Sequence, residues 1–374
     1  MKKFLAILLS VAMLLSLVAV AGAEESSVKV AMITDYGDIT DQSFNQTTYE
    51  ACKAFCEEQG LDFQYYKPAS DSDADRVSSI ETAIDEGYNV IVMPGYAFAP
   101  AIVAVVEEYP EVTFIALDVS EYDLQAAKGT DADFSWQYPA NLYSAVYQEE
   151  LCGYMAGYAA VKLGYKKLGF LGGMAVPAVV RYGYGFVQGA DAAAAELGLT
   201  DVEIKYVYGN QFYGDADITA YMDTWYAGGT EIVFACGGGI FTSAAEAATK
   251  EGVNGKVIGV DVDQAPTIDS KYGEGLTVTS AMKGLAPTVK AQLAAVKDGT
   301  FAGGKVENLG LVGEDPDANF VQIAPSTQFA DGFTQDDYKA LVAKMFAGEI
   351  TVSSAIDAEP AVTAVTVDYQ GNIK

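Results

Sequence analysis

Residues 28–45 have the sequence VKVAMITDYGDITDQSFN, and this stretch indicates how the chain folds. Its first part, 28–33, is a continuous apolar run that is typical of a buried strand. Its last part, DQSFN at 41–45, opens a helical pattern that continues to residue 59. A strand that leads directly into a helix predicts an α/β unit, and ligands bind at the carboxyl ends of such strands. The carboxylates, the ring and the amide of this connection suit a planar ligand with hydrogen-bonding edges.

The same alternation of strand and helix repeats along the chain. We predict strands at 28–33, 62–66, 90–93, 113–117, 167–171, 202–208, 232–235, 256–260 and 276–280. We predict helices at 43–59, 74–86, 99–108, 142–163, 179–197, 217–227, 243–251, 286–297 and 335–346. The strands are continuous apolar runs, as expected for parallel sheets that helices cover on both faces. The sequence therefore predicts an α/β fold of two Rossmann-like lobes with parallel sheets, joined by hinge crossovers.

The division into lobes is predicted from the place where the alternation pauses. A polar stretch at 121–139 is expected to be irregular, and the alternation starts again near residue 167. Near the C-terminus, 306–323 is strand-like and is expected to help complete the lobes. The predicted lobes are 28–140 with part of 273–330, and 141–272 with part of 330–374.

The first residues are typical of a secretory signal peptide, which we predict at 1–23. A basic start is followed by an uncharged apolar segment at 4–20 and by the small-residue pattern AGA at the cleavage point. A single membrane anchor is the alternative, but this apolar run is slightly short for a span of about 20 residues. No cysteine at the cleavage point offers a site for a lipid. We therefore predict an exported protein at the periplasmic or extracellular face of the membrane.

The composition excludes several classes of function. The formal net charge of −29, from 22 basic and 51 acidic residues, disfavours nucleic acid and anionic lipid as partners. The sequence contains no histidine, which removes the Ser-His and Cys-His nucleophile pairs and most zinc sites. The four cysteines form no CxxC motif, and their disulfide state is left open. The chain also lacks the GxxxxGK[ST] motif and a GxGxxG after the first strand.

Polar and aromatic residues follow the predicted strands in both lobes. Because the carboxyl ends of parallel strands gather at one edge of a sheet, these residues predict a single cleft between the lobes. The cleft would hold two aromatic rings, one from each lobe, with carboxylates and one ammonium group around them. The candidate ligand-binding residues are Asp35, Asp41, Phe44, Asn45, Asp118, Phe212, Gly238, Asp261, Asp263 and Lys283.

Three strings within this pattern match a known family. They are DQSFNQ at 41–46, LGFLGGM at 168–174 and VIGVDVDQ at 257–264. On these strings, and over nearly all of the chain after the signal peptide, the sequence resembles the basic membrane protein family of ABC-transporter substrate-binding proteins. The resemblance is to the purine nucleoside receptor branch in particular. It implies a type 1 periplasmic-binding-protein fold, which is a two-lobed clamp that closes on its ligand.

The resemblance also implies which residues hold the base of a nucleoside. Phe44 and Phe212 would sandwich the base, and Asp118 would face its edge with Asp35 and Asn45 nearby. The chemistry agrees, because stacking on an aromatic ring contributes about 1–3 kcal/mol per base. A carboxylate accepts hydrogen bonds from ring N–H groups more strongly than a neutral acceptor does.

The resemblance assigns the sugar to the second lobe. Gly238 would lie against the sugar, and Lys283 would grip the ribose hydroxyls together with either Asp261 or Asp263. The choice between the two aspartates is left open. A cleft with so many carboxylates disfavours phosphate, so a nucleoside is expected rather than a nucleotide.

The implied function is that of a binding protein and not of an enzyme. It would deliver guanosine, inosine or adenosine to an ABC permease in the membrane, as a monomer and with no cofactor or metal. Another small ligand, such as a sugar or a signalling molecule, is the alternative. A secreted nucleosidase that uses paired carboxylates, Asp35 with Asp41 or Asp261 with Asp263, is a less favoured hypothesis. Because family members are commonly lipoproteins, the way this chain stays near its permease is left open.

Overall fold

The computed structural model describes residues 28–35 and 37–373. The predicted signal peptide at 1–23 lies outside the described residues. Within them, no helix combines the length and the apolar character that a membrane span requires.

Strands and helices alternate along most of the described chain. The strands are β1 (Lys29–Ile33), β2 (Asp62–Tyr66), β3 (Val90–Pro94), β4 (Thr113–Leu117), β5 (Leu142–Tyr147), β6 (Lys167–Gly172), β7 (Val202–Tyr208), β8 (Ile232–Cys236), β9 (Lys256–Asp261), β10 (Thr277–Lys283), β11 (Lys305–Leu309), β12 (Val321–Ile323) and β13 (Val365–Asn372). The α-helices are α1 (Phe44–Gln59), α2 (Asp73–Asp85), α3 (Ala99–Val105), α4 (Glu121–Lys128), α5 (Glu149–Lys162), α6 (Pro177–Leu197), α7 (Ala216–Ala227), α8 (Phe241–Ala248), α9 (Ala265–Tyr272), α10 (Leu285–Lys297) and α11 (Gln335–Phe346).

The strands form two sheets that are almost entirely parallel. The first sheet has the order β11-β5-β4-β3-β1-β2, and every neighbouring pair in it is parallel. The second has the order β12-β10-β9-β8-β6-β7-β13, in which β12 runs antiparallel to β10. The central strands β3 and β8 are buried at every residue, as expected when helices cover both faces. The predicted α/β class with two parallel sheets is confirmed.

Strand β5 corrects two sequence predictions. The sequence predicts a helix over 142–163, whereas the structure has β5 followed by α5. β5 pairs with β4 and β11 and is buried at all positions except Val146. Periodicity does not separate a fully buried strand from a buried helix, which is why the prediction was wrong here. The first sheet therefore extends past the predicted lobe boundary at 140.

Helix α4 lies within the stretch that was predicted to be irregular. Its start is fixed by a capping box, in which Ser120 accepts from the backbone N–H of Asp123 and the Asp123 carboxylate accepts from the backbone N–H of Ser120. Further along, the buried Gln125 side chain donates to the carbonyl of Trp136 and accepts from its backbone N–H. These bonds hold the rest of the stretch, and the Trp136 ring packs on the core of the first sheet.

The described chain crosses between the sheets three times. The crossings lie between β5 and α5, between β10 and α10, and between β11 and β12. The strand-like stretch 306–323 is therefore two strands in different sheets. The crossings are also bonded to one another, because Gln148 N–H donates to Leu309 O at 2.9 Å and Gly284 N–H donates to Phe320 O at 2.7 Å.

Helices α5 and α6 pack with their backbones in contact. A Cβ at Gly157 of α5 would lie 2.0 Å from the carbonyl oxygen of Phe186 on α6. A Cβ at Gly189 of α6 would lie 2.0 Å from the carbonyl oxygen of Tyr154 on α5. Only glycine permits this approach, and it fixes where the first turns of both helices lie.

Candidate functional site

A cavity of about 690 Å³ lies where the carboxyl ends of the two sheets face each other. Its size falls in the range of small-molecule sites, which is roughly 300–1,000 Å³. Nine of the ten predicted site residues line it, and Asp263 does not. The nine are Asp35, Asp41, Phe44, Asn45, Asp118, Phe212, Gly238, Asp261 and Lys283.

Asp41 organises the loop that leads into α1. One carboxylate oxygen accepts from the backbone N–H groups of Ser43 and Gln46, and the other accepts from the backbone N–H of Asn45. The Asn45 side-chain amide adds a further bond at 3.2 Å. Burial raises the pKa of Asp41, and these donors oppose the rise. Most of the acceptor capacity of Asp41 is thus used in holding the helix start, so its role is mainly to position its neighbours.

Asp35 and Asn45 form a polar pair that remains open to the cavity. Asp35 Oδ1 accepts from the backbone N–H of Gly37 at 2.5 Å and from Asn45 Nδ2 at 3.2 Å. Asn45 Oδ1 is buried and has no hydrogen-bond partner among the described residues. Burial raises the pKa of Asp35 to about 6, and the nearby Asp41 carboxylate adds to the rise.

Lys283 joins carboxylates that come from three parts of the chain. Its ammonium nitrogen lies 2.5 Å from Asp118, 3.5 Å from Glu149 and 3.7 Å from Asp261. Burial alone would lower the pKa of Lys283, but Asp118 and the other two carboxylates raise it above its usual value. Burial raises the pKa of Asp118, which the ammonium group opposes. The resemblance implies that Asp118 faces the base and that Lys283 grips the ribose, and the structure joins these two side chains in one ion pair.

The two predicted aromatic rings line the cavity from opposite sheets. The Phe44 ring lies at the start of α1, and the Lys283 ammonium group sits 4.7 Å from its centroid. The Phe212 ring lies against Gly173 and Gly237, where a Cβ would meet a ring carbon at 2.5 and 3.1 Å respectively. The glycines that follow β6 and β8 therefore make room for this ring, and Gly238 beside it has a φ of 51°.

Asp261 bonds across the cavity, and Asp263 points elsewhere. The Ser43 hydroxyl donates to Asp261 at 2.7 Å, and the Tyr182 hydroxyl donates to it at 3.1 Å. The Asp263 carboxylate instead accepts from the Ser326 hydroxyl and from the Ala265 backbone N–H. Of the two aspartates left open by the sequence, the structure brings only Asp261 into the cavity.

Three cavity residues that are not glycine have left-handed backbone conformations. The φ values are 60° at Asp118, 59° at Asn210 and 66° at Asp261. Such conformations cost free energy and are concentrated at functional sites in proteins. Two of these three residues, Asp118 and Asp261, are among the three carboxylates that surround Lys283. Their backbone conformation therefore sets the direction in which these side chains point.

Sequence reasoning missed the role of two residues, Glu149 and Arg181. Glu149 is fully buried in the first turn of α5, and its carboxylate accepts from Arg181 Nε at 2.6 Å. Arg181 lies on α6 and lines the cavity. Arg181 does stand near the LGFLGGM string, but nothing in the sequence pairs it with Glu149. That pairing depends on how α5 packs on α6.

Neither the cysteines nor the acidic residues form a further site in the described chain. All four cysteines are buried and free, including Cys236 at the cavity. No group of three or more Cys, Asp or Glu side chains among the described residues has the arrangement of a metal site.

Comparison with sequence families gives a match over most of the chain. The family model named Bmp, described as ABC transporter substrate-binding protein PnrA-like, matches residues 28–337. The ABC transporter nucleoside-binding protein BmpA of Lactococcus lactis subsp. cremoris is 26% identical over 306 residues, covering 78% of this chain and 81% of that protein. Basic membrane protein B of Borreliella afzelii is 27% identical and covers 76% of this chain and 79% of its own length.

Solved structures with the same fold include two solute-binding proteins of ABC transporter systems. The protein from Aeropyrum pernix K1 aligns with a TM-score of 0.69 at 21% identity, covering 88% of this chain and 94% of that one. The protein from Conexibacter woesei aligns with a TM-score of 0.64 at 22% identity, covering 88% and 99% respectively. At these identities the comparison supports the two-lobed fold alone.

Proposed function

Because the chain belongs to the Bmp family of PnrA-like ABC transporter substrate-binding proteins, we propose that it captures a purine nucleoside and delivers it to a membrane permease. Substrate-binding proteins of ABC importers act outside the cytoplasm, and their partner is the permease. The observation that carries the proposal is the pair of rings, Phe44 and Phe212, which line one cavity from opposite sheets. The printed name of the Lactococcus lactis relative, a nucleoside-binding protein, supports the same ligand class.

The polar groups of the cavity suit a ligand that carries hydrogen-bond donors. Asn45 Oδ1 and Asp118 Oδ1 are buried and have no hydrogen-bond partner among the described residues. An unpaired buried acceptor costs about 1–3 kcal/mol, so a ligand that donates to both oxygens gains from pairing them. A purine nucleoside offers ring N–H groups and sugar hydroxyls. It therefore carries donors on both its base and its sugar.

The charge of the cavity favours a nucleoside over a nucleotide. The lining contains two cationic side chains, Arg181 and Lys283. The charge of each is already balanced by a carboxylate. A phosphate would therefore add negative charge to a lining that already has an excess of acidic groups, which selects against it. The lining aspartates are Asp35, Asp38, Asp41, Asp71, Asp118, Asp123 and Asp261.

Removing either ring is expected to weaken nucleoside binding. Phe44→Ala and Phe212→Ala should each reduce the affinity for inosine and guanosine by about tenfold or more, because a stacked base contributes roughly 1–3 kcal/mol. Isothermal titration calorimetry measures the change. The matched control is Phe346→Ala, which removes an exposed ring at the end of α11, outside the cavity lining. Unchanged affinity in both cavity variants would remove the sandwich from the proposal.

A thermal-shift screen tests the ligand class directly. A ligand that binds only the folded chain raises the melting temperature by mass action, so guanosine, inosine or adenosine should raise it. Free bases, nucleotides, sugars and inositols are the comparison ligands. Chromatography of the inosine sample shows whether free base is released. A shift with sugars alone, or turnover of inosine, would contradict the proposed function.

Binding is expected to weaken in acid because of Asp35. Its raised pKa of about 6 means that it is ionised above pH 6 and becomes protonated as the pH falls through this value. If the ligand donates to the ionised form, affinity is full above pH 6 and falls below it, by up to about tenfold per pH unit. Calorimetry at pH 7.5, 6.5, 5.5 and 4.5 gives the slope. Asp35→Asn should bind the nucleoside less tightly at pH 7.5, and its affinity should change less with pH. If the affinity of the unaltered chain is constant over this pH range, the ligand does not donate to the ionised Asp35.

A further inference from the structure

The Glu149 carboxylate lies between two cations that line the cavity, Arg181 and Lys283. One oxygen accepts from Arg181 Nε at 2.6 Å, and the other lies 3.5 Å from the Lys283 ammonium nitrogen. Glu149 is fully buried, so it cannot exchange either partner for water. The two cations are therefore held side by side, and they differ in exposure, since the side chain of Arg181 is 17% exposed and that of Lys283 is 3% exposed.

Lys283 is the more enclosed of the two cations. Its ammonium group donates to Asp118, and oxygens of Glu149 and Asp261 stand within ion-pair distance at 3.5 and 3.7 Å. Its side chain is only 3% exposed, and the rings of Phe44, Tyr147 and Tyr182 surround the ammonium group. Its main effect is to hold the surrounding carboxylates in place.

Arg181 has donors to spare. A guanidinium group has five N–H donors, and among the described residues only Nε has a hydrogen-bond partner, which is Glu149. The side chain is 17% exposed and lines the cavity. The bond to Glu149 fixes the plane of the guanidinium group, so its two terminal amino groups are held in a defined direction.

We propose that Arg181 is a ligand-contacting residue that donates to sugar hydroxyl oxygens, beside the carboxylates Asp118 and Asp261 that Lys283 holds in place. This inference rests on the proposed function. A hydroxyl group both donates and accepts, so it pairs best where a carboxylate and a cation stand together. Asp118 and Asp261 supply the acceptors in the cavity lining, and Arg181 supplies the free donors beside them.

The test combines one variant with a series of ligands. Arg181→Gln and the unaltered chain are titrated calorimetrically with inosine and with 2′-, 3′- and 5′-deoxyinosine. The variant should bind inosine about tenfold to hundredfold more weakly, as expected for a lost hydrogen bond from a charged donor. For the analogue that lacks the contacted hydroxyl, the unaltered chain and the variant should bind equally. If the variant loses the same factor for all four ligands, or loses nothing, the contact with the sugar is excluded.

The outcomes separate this inference from the proposed function. An unaltered chain that binds none of the four nucleosides defeats the proposed function, and the inference with it. An unaltered chain that binds inosine as tightly as the variant does defeats the inference alone. Because Arg181→Gln leaves the buried Glu149 with Lys283 as its one remaining cation among the described residues, the double variant Glu149→Gln/Arg181→Gln is titrated in parallel. It also removes the Glu149 charge and must show the same ligand pattern.

Discussion

Lys283→Met is expected to lower the free energy of unfolding by about 3–5 kcal/mol and to abolish measurable nucleoside binding. Methionine keeps much of the volume of the side chain but removes the one ion-pair partner that Asp118 and Asp261 have among the described residues. In the unaltered chain, Asp118, Glu149 and Asp261 share this ammonium group. In the variant, the three buried carboxylates would face each other without it. Loss of one partner of a buried ion pair is costly because it leaves the other charge uncompensated.

Urea denaturation of the ligand-free chain measures this loss, and two variants interpret it. Lys166→Met removes one partner of the exposed pair with Asp201 and should cost less than about 1 kcal/mol. The double variant Asp118→Asn/Lys283→Met removes one of the opposed charges and should recover part of the stability lost by Lys283→Met. Equal urea midpoints for Lys283→Met and Lys166→Met would show that the carboxylate cluster does not depend on the ammonium group.

The cavity was predictable because of one geometric rule. In a parallel sheet the residues that follow the strands gather at one edge, so strand assignment, together with the family resemblance, predicted nine residues of the cavity lining. The rule places a residue near the cavity but does not say where its side chain points. Asp261 and Asp263 both follow β9. The left-handed conformation of Asp261 turns the chain there, and Asp263 then bonds to Ser326.

Other features were missed for two different reasons. Helix α4 has a local signal in the sequence, since Ser120 and Asp123 have the spacing of a capping box, but the polar composition of 121–139 favours an irregular stretch. The pair of Glu149 and Arg181 had no local signal. Its members are 32 residues apart on two helices, and they meet because of how closely these helices approach each other.

That close approach leaves no room for a side chain at Gly157. Gly157→Ala should lower the free energy of unfolding by more than about 2 kcal/mol, because the added Cβ would lie 2.0 Å from a backbone oxygen on α6. A backbone atom cannot turn aside as a side chain can, so the helices must separate. Separation also moves Glu149 away from Arg181, and nucleoside affinity should fall together with the stability.

Helix propensity predicts the opposite sign, and this makes the variant decisive. Alanine is better than glycine inside a helix by about 0.8–1.0 kcal/mol, so a loosely packed α5 would be stabilised by Gly157→Ala. The control is Gly313→Ala, at a glycine with no heavy atom within 4 Å of the added Cβ and no left-handed φ. It should leave the melting temperature unchanged or raise it slightly, since alanine restricts the unfolded chain. A Gly157→Ala chain that melts at or above the temperature of the unaltered chain would mean that α5 and α6 are not in backbone contact. The positions of Glu149 and Arg181 at the cavity would then need another cause.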